Sequence, residues 1–310
     1  MKKRRFWTRK QWCSGILLAF FLAAQTFVLS GCGNDPAATS QEESDNLVIA
    51  TSFYPMYIMV LNVTQDIPGV EAVNVTGTVT GCLHDYQLTT NDLKKIHKAQ
   101  ILVVNGAHME SFLDQVIAQQ PELKIVDASE GIELIEDNHH EKNAHIWVSI
   151  SLAMEQVQNI ADQLAATDPN NAQGYQSNAQ NYIRKLEELK SEMHAQLDSL
   201  EDRNIVTFHE AFPYFAQEFG LNIVATVERE PGSEPVAAEL KETIDIIRQS
   251  GVRAIFVEPQ YSTKAAETIA TETGAQVYTL DPAVTGPEEP EAYIEIMNRN
   301  LQVLLEALGS

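Results

Sequence analysis

Short apolar runs alternate with stretches of helical spacing along most of this chain, and that alternation predicts its architecture. Leu47-Val48-Ile49-Ala50, the Val-rich segment Glu71 to Val79, Ile101-Leu102-Val103-Val104 and Leu123-Lys124-Ile125-Val126 read as strands. Helical patterns separate them over Met56 to Val63, from Leu93 onward behind the capping residues Thr89-Thr90-Asn91-Asp92, and over Met109 to Ala118. A second series repeats the scheme. Its strands are Asn204 to Phe208, Leu221 to Thr226, Val252 to Val257 and Gln276 to Leu280, and its helices end at Phe219 or cover Val236 to Ser250, Thr263 to Thr273 and Pro290 to Leu308. Strands that alternate with helices pair in parallel through crossovers, so the pattern predicts two α/β lobes with mainly parallel sheets.

Between the two series lie a helical pattern over Ala153 to Ala165 and then a longer one. Tyr175, Tyr182, Leu186, Leu189, Met193, Leu197 and Leu200 recur at helical spacing with no Gly or Pro after Gly174. A helix of about thirty residues, about 45 Å long, would run the length of a domain and join two of them. The expected division is an N-terminal lobe at residues 47–168, a linking helix at 169–200 and a C-terminal lobe at 201–310, in keeping with a length of 310 residues that exceeds what one core usually fills.

The N-terminus has a different logic. Basic residues up to Lys10 precede an apolar run from Ile16 to Leu29, which has the layout of a secretory signal. It ends Leu29-Ser30-Gly31-Cys32, which resembles the lipobox at which a bacterial lipoprotein is cut and its cysteine lipidated. Residues 1–31 would be the signal and the polar stretch 32–46 a flexible tether, with a root-mean-square reach of roughly 20 Å. The expected address is extracytoplasmic, with the chain anchored to the bacterial cell membrane through Cys32. Cys13 leaves with the signal, so Cys82 remains as the single free thiol and no internal disulfide can form. Six basic residues and no acidic one lie in residues 1–31, so without them the formal charge of −22 becomes −28. Such acidity argues against a nucleic-acid partner, because a phosphate backbone requires a basic surface.

Candidate chemistry gathers where strands end. His84, His145, His209 and Asp281 each follow a segment that reads as a buried strand, and ligands of open α/β sheets bind beyond the carboxyl ends of the strands. Three imidazoles and one carboxylate suit Zn²⁺ in tetrahedral coordination. Two of the four precede the long helix and two follow it, so a bound ion would bridge the lobes.

Together with Phe53-Tyr54-Pro55, His84-Asp85-Tyr86, Asn105-Gly106 with Glu110, His145-Ile146-Trp147, Asp168-Pro169-Asn170, Phe208-His209-Glu210-Ala211-Phe212, Glu258 and Leu280-Asp281-Pro282, these residues resemble the substrate-binding lipoproteins of zinc and manganese ABC importers. The resemblance covers nearly the whole mature chain. It implies two α/β lobes joined by a rigid helix, with metal held between them on His84, His145, His209 and Asp281. It further implies delivery of that metal to a membrane permease by a protein expected to be monomeric. His209 stands where manganese members have Glu, which favours zinc on ligand softness.

Some positions depart from the family pattern. Cys82-Leu83 replaces the usual pair before the first His, and Ala144 and Leu88 stand where Pro is usual. Cys82 could be a thiolate ligand or a small buried hydrophobe. Glu136-Asp137-Asn138-His139-His140-Glu141 is short beside the His-rich loops of many zinc members, so His139 and His140 are either an auxiliary zinc site or part of an acidic loop. Glu258 either orients a ligand imidazole or is a plain loop carboxylate, and Glu228, Glu230 and Glu234 read as surface residues.

Other classes compete with zinc import. A manganese or iron importer component would use the same fold, and a lipid-anchored surface adhesin contradicts no residue here. A zinc hydrolase needs an open coordination position and a general base. His209-Glu210 begins like a His-Glu-x-x-His motif, but Pro213 takes the place of the second His, so no enzyme is expected.

Overall fold

Alternation within the strands decides which side of each sheet faces the middle of the molecule. The computed structural model describes residues 46–77, 83, 86–136, 142–227 and 235–309, and places two four-stranded sheets in them. The first contains β1 (Leu47–Thr51), β2 (Val70–Asn74), β3 (Ile101–Val104) and β4 (Lys124–Asp127) in the order β2-β1-β3-β4. The second contains β5 (Asn204–Thr207), β6 (Asn222–Thr226), β7 (Ala254–Val257) and β8 (Gln276–Thr279) in the order β6-β5-β7-β8. Pairing is parallel in both, with Ala50 opposite Val73 and Leu102 in the first and Val206 opposite Ile255 in the second. The two lobes therefore share one topology.

Crossovers run through α1 (Tyr54–Val63), α2 (Thr90–Lys98) and α3 (Asp114–Ala118) in the first lobe, and α6 (Pro213–Phe219), α7 (Ala237–Ser250) and α8 (Lys264–Thr273) in the second. Between them come α4 (Ile150–Thr167) and α5 (Ala172–Leu197), and α9 (Ala292–Leu308) closes the fold. The expected capping residues start α2: Thr89 Oγ1 accepts from Asp92 N–H at 3.3 Å, and Asp92 Oδ2 accepts from Thr89 N–H at 2.8 Å. None of these helices is long and apolar enough to cross a membrane.

One face of each sheet packs on a shared layer of helices. Ile49, Ile101 and Val103 of the first sheet belong to the same buried cluster as Ile205, Ala254 and Phe256 of the second, joined through Tyr175, Tyr182, Leu186, Met193 and Leu197 of α5 and Ile296, Leu301 and Leu304 of α9. The alternate strand residues point outward, Ala50, Leu102 and Val104 into a core under α2 and α3, Val206, Ile255 and Val257 into one under α7 and α8. Burying each large aliphatic side chain contributes about 1.5–3 kcal/mol. The middle layer thus ties the lobes together by the hydrophobic effect alone, before any metal is considered. Helix α5 has 26 residues, about 39 Å, rather than the expected thirty. Residues 169–171 form its entry turn, held by Asp168 Oδ2, which accepts from Asn171 Nδ2 at 2.7 Å and Tyr175 OH at 2.8 Å.

Expectation fails at Met109 to Ala118, where the single helix is replaced by a 3-10 turn at Ser111–Leu113 that runs into the short α3. Gly106, Ala107 and His108 have φ of 80°, 52° and 65°, which no right-handed helix admits. A Cβ on Gly106 would collide with the Asp127 carboxylate, so only glycine fits there. This turn lets buried Glu110 fold back and collect three donors: Oε1 accepts from Ser52 Oγ at 2.7 Å and Asn105 N–H at 2.6 Å, and Oε2 accepts from Gly106 N–H at 3.2 Å.

Burial is the largest influence on the Glu110 carboxyl and, despite those donors, pushes it up to about 7 from 4.5. A folded value above the unfolded one means that the folded chain binds this proton more tightly. Glu110 therefore stabilises most below pH 4.5, and the contribution is lost as pH rises through about 7. Glu110→Gln should remove that dependence. The difference in urea-unfolding stability between parent and variant should move against the parent by up to ~3 kcal/mol from pH 4.5 to 7, and a difference that is flat with pH would refute the assignment.

Candidate metal centre

His145 and His209 come together through backbone, not through a shared helix. His209 follows Phe208 directly after β5 and precedes α6, which opens on Pro213; the Pro ring suits a first helical turn and shows that His209-Glu210 is no part of a His-Glu-x-x-His helix. His145 does not follow a strand as expected: β4 ends at Asp127, and His145 instead precedes a 3-10 turn at Ile146–Val148 that leads into α4. Both imidazoles are buried, and their Nε2 atoms lie 3.1 Å apart with the rings at 83°. Two nitrogens each about 2.05 Å from a tetrahedral zinc ion are about 3.3 Å apart, so this pair already has the spacing of one edge of such a site.

The segment that carries His145 is hydrogen-bonded to the other lobe along its length. Asn143 Oδ1 accepts from His145 N–H at 2.9 Å and lies 3.1 Å from His145 Nδ1, while Asn143 Nδ2 donates to the Glu210 carbonyl at 2.7 Å. Tyr214 OH donates to the Asn143 carbonyl at 2.7 Å and accepts from Ile135 N–H at 3.0 Å. Trp147, wholly buried, donates from Nε1 to the Pro282 carbonyl at 2.7 Å, and Tyr293 OH donates to the Trp147 carbonyl at 2.8 Å. From the first lobe, Asn105 Nδ2 donates to the Ala144 carbonyl at 2.9 Å.

Asp281 follows Leu280 after β8, and Asn300 on α9 brackets its peptide, accepting from Asp281 N–H at 2.9 Å and donating to its carbonyl at 2.7 Å. Ala283 N–H donates to Asp281 Oδ1 at 2.8 Å. Glu258 follows β7, the strand between those that deliver His209 and Asp281, and Glu258 Oε1 is buried without a hydrogen-bond partner among the described residues. Burial first, then the neighbouring Asp281 charge, push Glu258 up to about 8. Burial likewise raises Asp281, partly offset by the Ala283 N–H and by Arg299.

Among the described residues no three His, Cys, Asp or Glu side chains converge on one point; the two imidazoles are what the structure brings together. His84, Cys82, His139, His140, Cys32 and the surface candidates Glu228, Glu230 and Glu234 lie outside the described residues. Asn143, Tyr214 and Asn300 had no signal in the sequence, since their partners are defined only by the fold.

Residues 49–307 match the model of the family "ZnuA: Zinc-uptake complex component A periplasmic". This chain belongs to that family. Members of the zinc-uptake component A family are the substrate-binding proteins of metal ABC importers, transport components and not enzymes. Among relatives, the high-affinity zinc uptake system protein ZnuA of Bacillus subtilis is 31% identical, over 96% of this chain and 98% of its own length. Among solved structures, the binding protein FpvC of Pseudomonas aeruginosa in complex with Mn²⁺ has a TM-score of 0.78 at 30% identity, over 85% of this chain and 99% of its own. The laminin-binding protein Lmb of Streptococcus agalactiae, described as a bifunctional protein with adhesin and metal-transporting activity, has a TM-score of 0.76 at 30% identity, over 84% and 99% of the two chains.

Proposed function

We propose that this zinc-uptake component A protein binds one Zn²⁺ on His84, His145, His209 and Asp281 and delivers it to an ABC permease. The observation that carries the reading is the pair of Nε2 atoms 3.1 Å apart, each delivered by a different lobe. Imidazole donors favour zinc over manganese, which takes oxygen ligands more readily. Calorimetry of the chain with competing chelators should give one tight zinc site and far weaker manganese binding, and equal affinity for the two would remove the zinc assignment. In this reading a cation beside Asp281 would offset the repulsion between Asp281 and buried Glu258.

We further propose that residues 1–31 are removed, that Cys32 carries lipid, and that residues 32–46 tether a monomer to the outer side of the cell membrane. Its support is the lipobox-like Leu29-Ser30-Gly31-Cys32. Incorporation of a labelled fatty acid that persists in Cys32→Ala would contradict it.

A further inference from the structure

Asn143 occupies a position in which both ends of its carboxamide are assigned by chemistry. The His145 peptide N–H can only donate and the Glu210 carbonyl can only accept, so Oδ1 must face His145 and Nδ2 must face Glu210, as the contacts of 2.9 Å and 2.7 Å require. Oδ1 carries no proton, so the 3.1 Å contact with His145 Nδ1 is a hydrogen bond only when Nδ1 is the protonated nitrogen. Neutral His145 then has its lone pair on Nε2, the atom that faces His209. The same carboxamide holds the carbonyl of Glu210, the residue directly after His209.

We infer that Asn143 is the positioning residue of the metal centre: one side chain fixes the tautomer of His145 and ties it to the segment of His209, so that both imidazoles are preset for the ion. The inference rests on the proposed donor roles of His145 and His209. A metal-bound imidazole usually donates its other N–H to an acceptor that fixes the ring, and losing such a partner typically costs 10–100-fold in affinity. Here the residue that supplies that acceptor also spans the seam between the lobes, because Tyr214 of the second lobe donates to the Asn143 backbone carbonyl.

Long-range ¹H–¹⁵N spectra of the zinc-free, histidine-labelled full chain, recorded above the ordinary His range near pKa 6.5, read the tautomer directly. A protonated Nδ1 and bare Nε2 on His145 are expected, and a protonated Nε2 overturns the inference without any Asn143 variant. Asn143→Leu should mix the tautomers and weaken zinc binding about 10–100-fold. Asn143→Asp keeps an acceptor toward His145 and loses the donor toward Glu210, so it should restore the Nδ1–H signal and recover part of the affinity. Parental affinity in Asn143→Leu, or an Asn143→Asp variant no better than Leu in both readouts, rejects the role. His145→Ala provides the separate control: parental zinc affinity there would reject the donor assignment, whereas weakened binding alongside an unaffected Asn143→Leu would reject the positioning role alone.

Discussion

His209→Ala is expected to weaken zinc binding by about 100- to 1000-fold while leaving the zinc-free fold in place. Closed structural zinc sites are worth ~10–16 kcal/mol in all, so one of four donors carries about 3–4 kcal/mol, and every 1.4 kcal/mol is tenfold. His209 stands after the end of β5, and the core beneath it, Val206 and Phe208 against Ile255 and Val257, does not use the imidazole. Truncation should therefore remove a donor without opening that core. Competition calorimetry reads the affinity, and urea unfolding without zinc reads the fold. Binding within threefold of the parent would mean that the 3.1 Å pair is not the site. His139→Ala combined with His140→Ala should retain the parental affinity of the main site.

The readable part of this protein was the part written in periodicity. Alternation of strands with helices announced two sheets, and within them the structure turns Ile205 and Val206 to opposite faces because a strand must turn successive side chains to opposite sides. The long helix was legible from its stripe of Tyr175 to Leu197, but its start was not, since Asp168 and Asn171 settle that end by hydrogen bonds that propensity does not encode. Met109 to Ala118 misled for a related reason: its apolar spacing is helical, but Glu110, with ψ of 38° and its carboxylate folded back onto Asn105, breaks the helix near its start. At the site, His209 could be named because an imidazole just past a strand is conspicuous, whereas His145, expected in the same setting, stands at the entry to a 3-10 turn. Asn143 and Asn300 could not be named, because an amide gains meaning only from the groups that the fold sets around it. Asn300, for instance, reaches Asp281 across 19 residues.

The seam between the lobes leads to the second large effect, at Glu218. Helix α4 begins beside the centre, and its first N–H groups have no partner within the helix. Ser149 N–H donates to the Ile146 carbonyl at 3.2 Å, and Ser149 Oγ accepts from Leu152 N–H at 3.2 Å. The remaining two are taken by Glu218 of α6 in the other lobe: Oε2 accepts from Ile150 N–H at 2.8 Å and Oε1 from Ser151 N–H at 3.0 Å, with Ser149 Oγ and Ser151 Oγ donating as well at 2.8 Å and 2.5 Å. A carboxylate at a helix N-terminus is also favoured by the helix dipole. Glu218→Leu removes all four bonds and strands two peptide N–H groups, each costing about 1–3 kcal/mol when left unpaired, so a loss of roughly 3–5 kcal/mol is expected. Glu218→Gln keeps one acceptor oxygen and should lose less. Because these bonds need no metal, the amides of Ile150 and Ser151 should resist hydrogen exchange in the zinc-free chain and lose that protection in Glu218→Leu. Zinc, which binds the folded state and not the unfolded one, should still raise the melting temperature of both proteins by mass action, adding to a seam that already exists. If the Leu variant were within about 0.5 kcal/mol of the parent, or if both amides exchanged freely until zinc was added, Glu218 would not be what closes this seam.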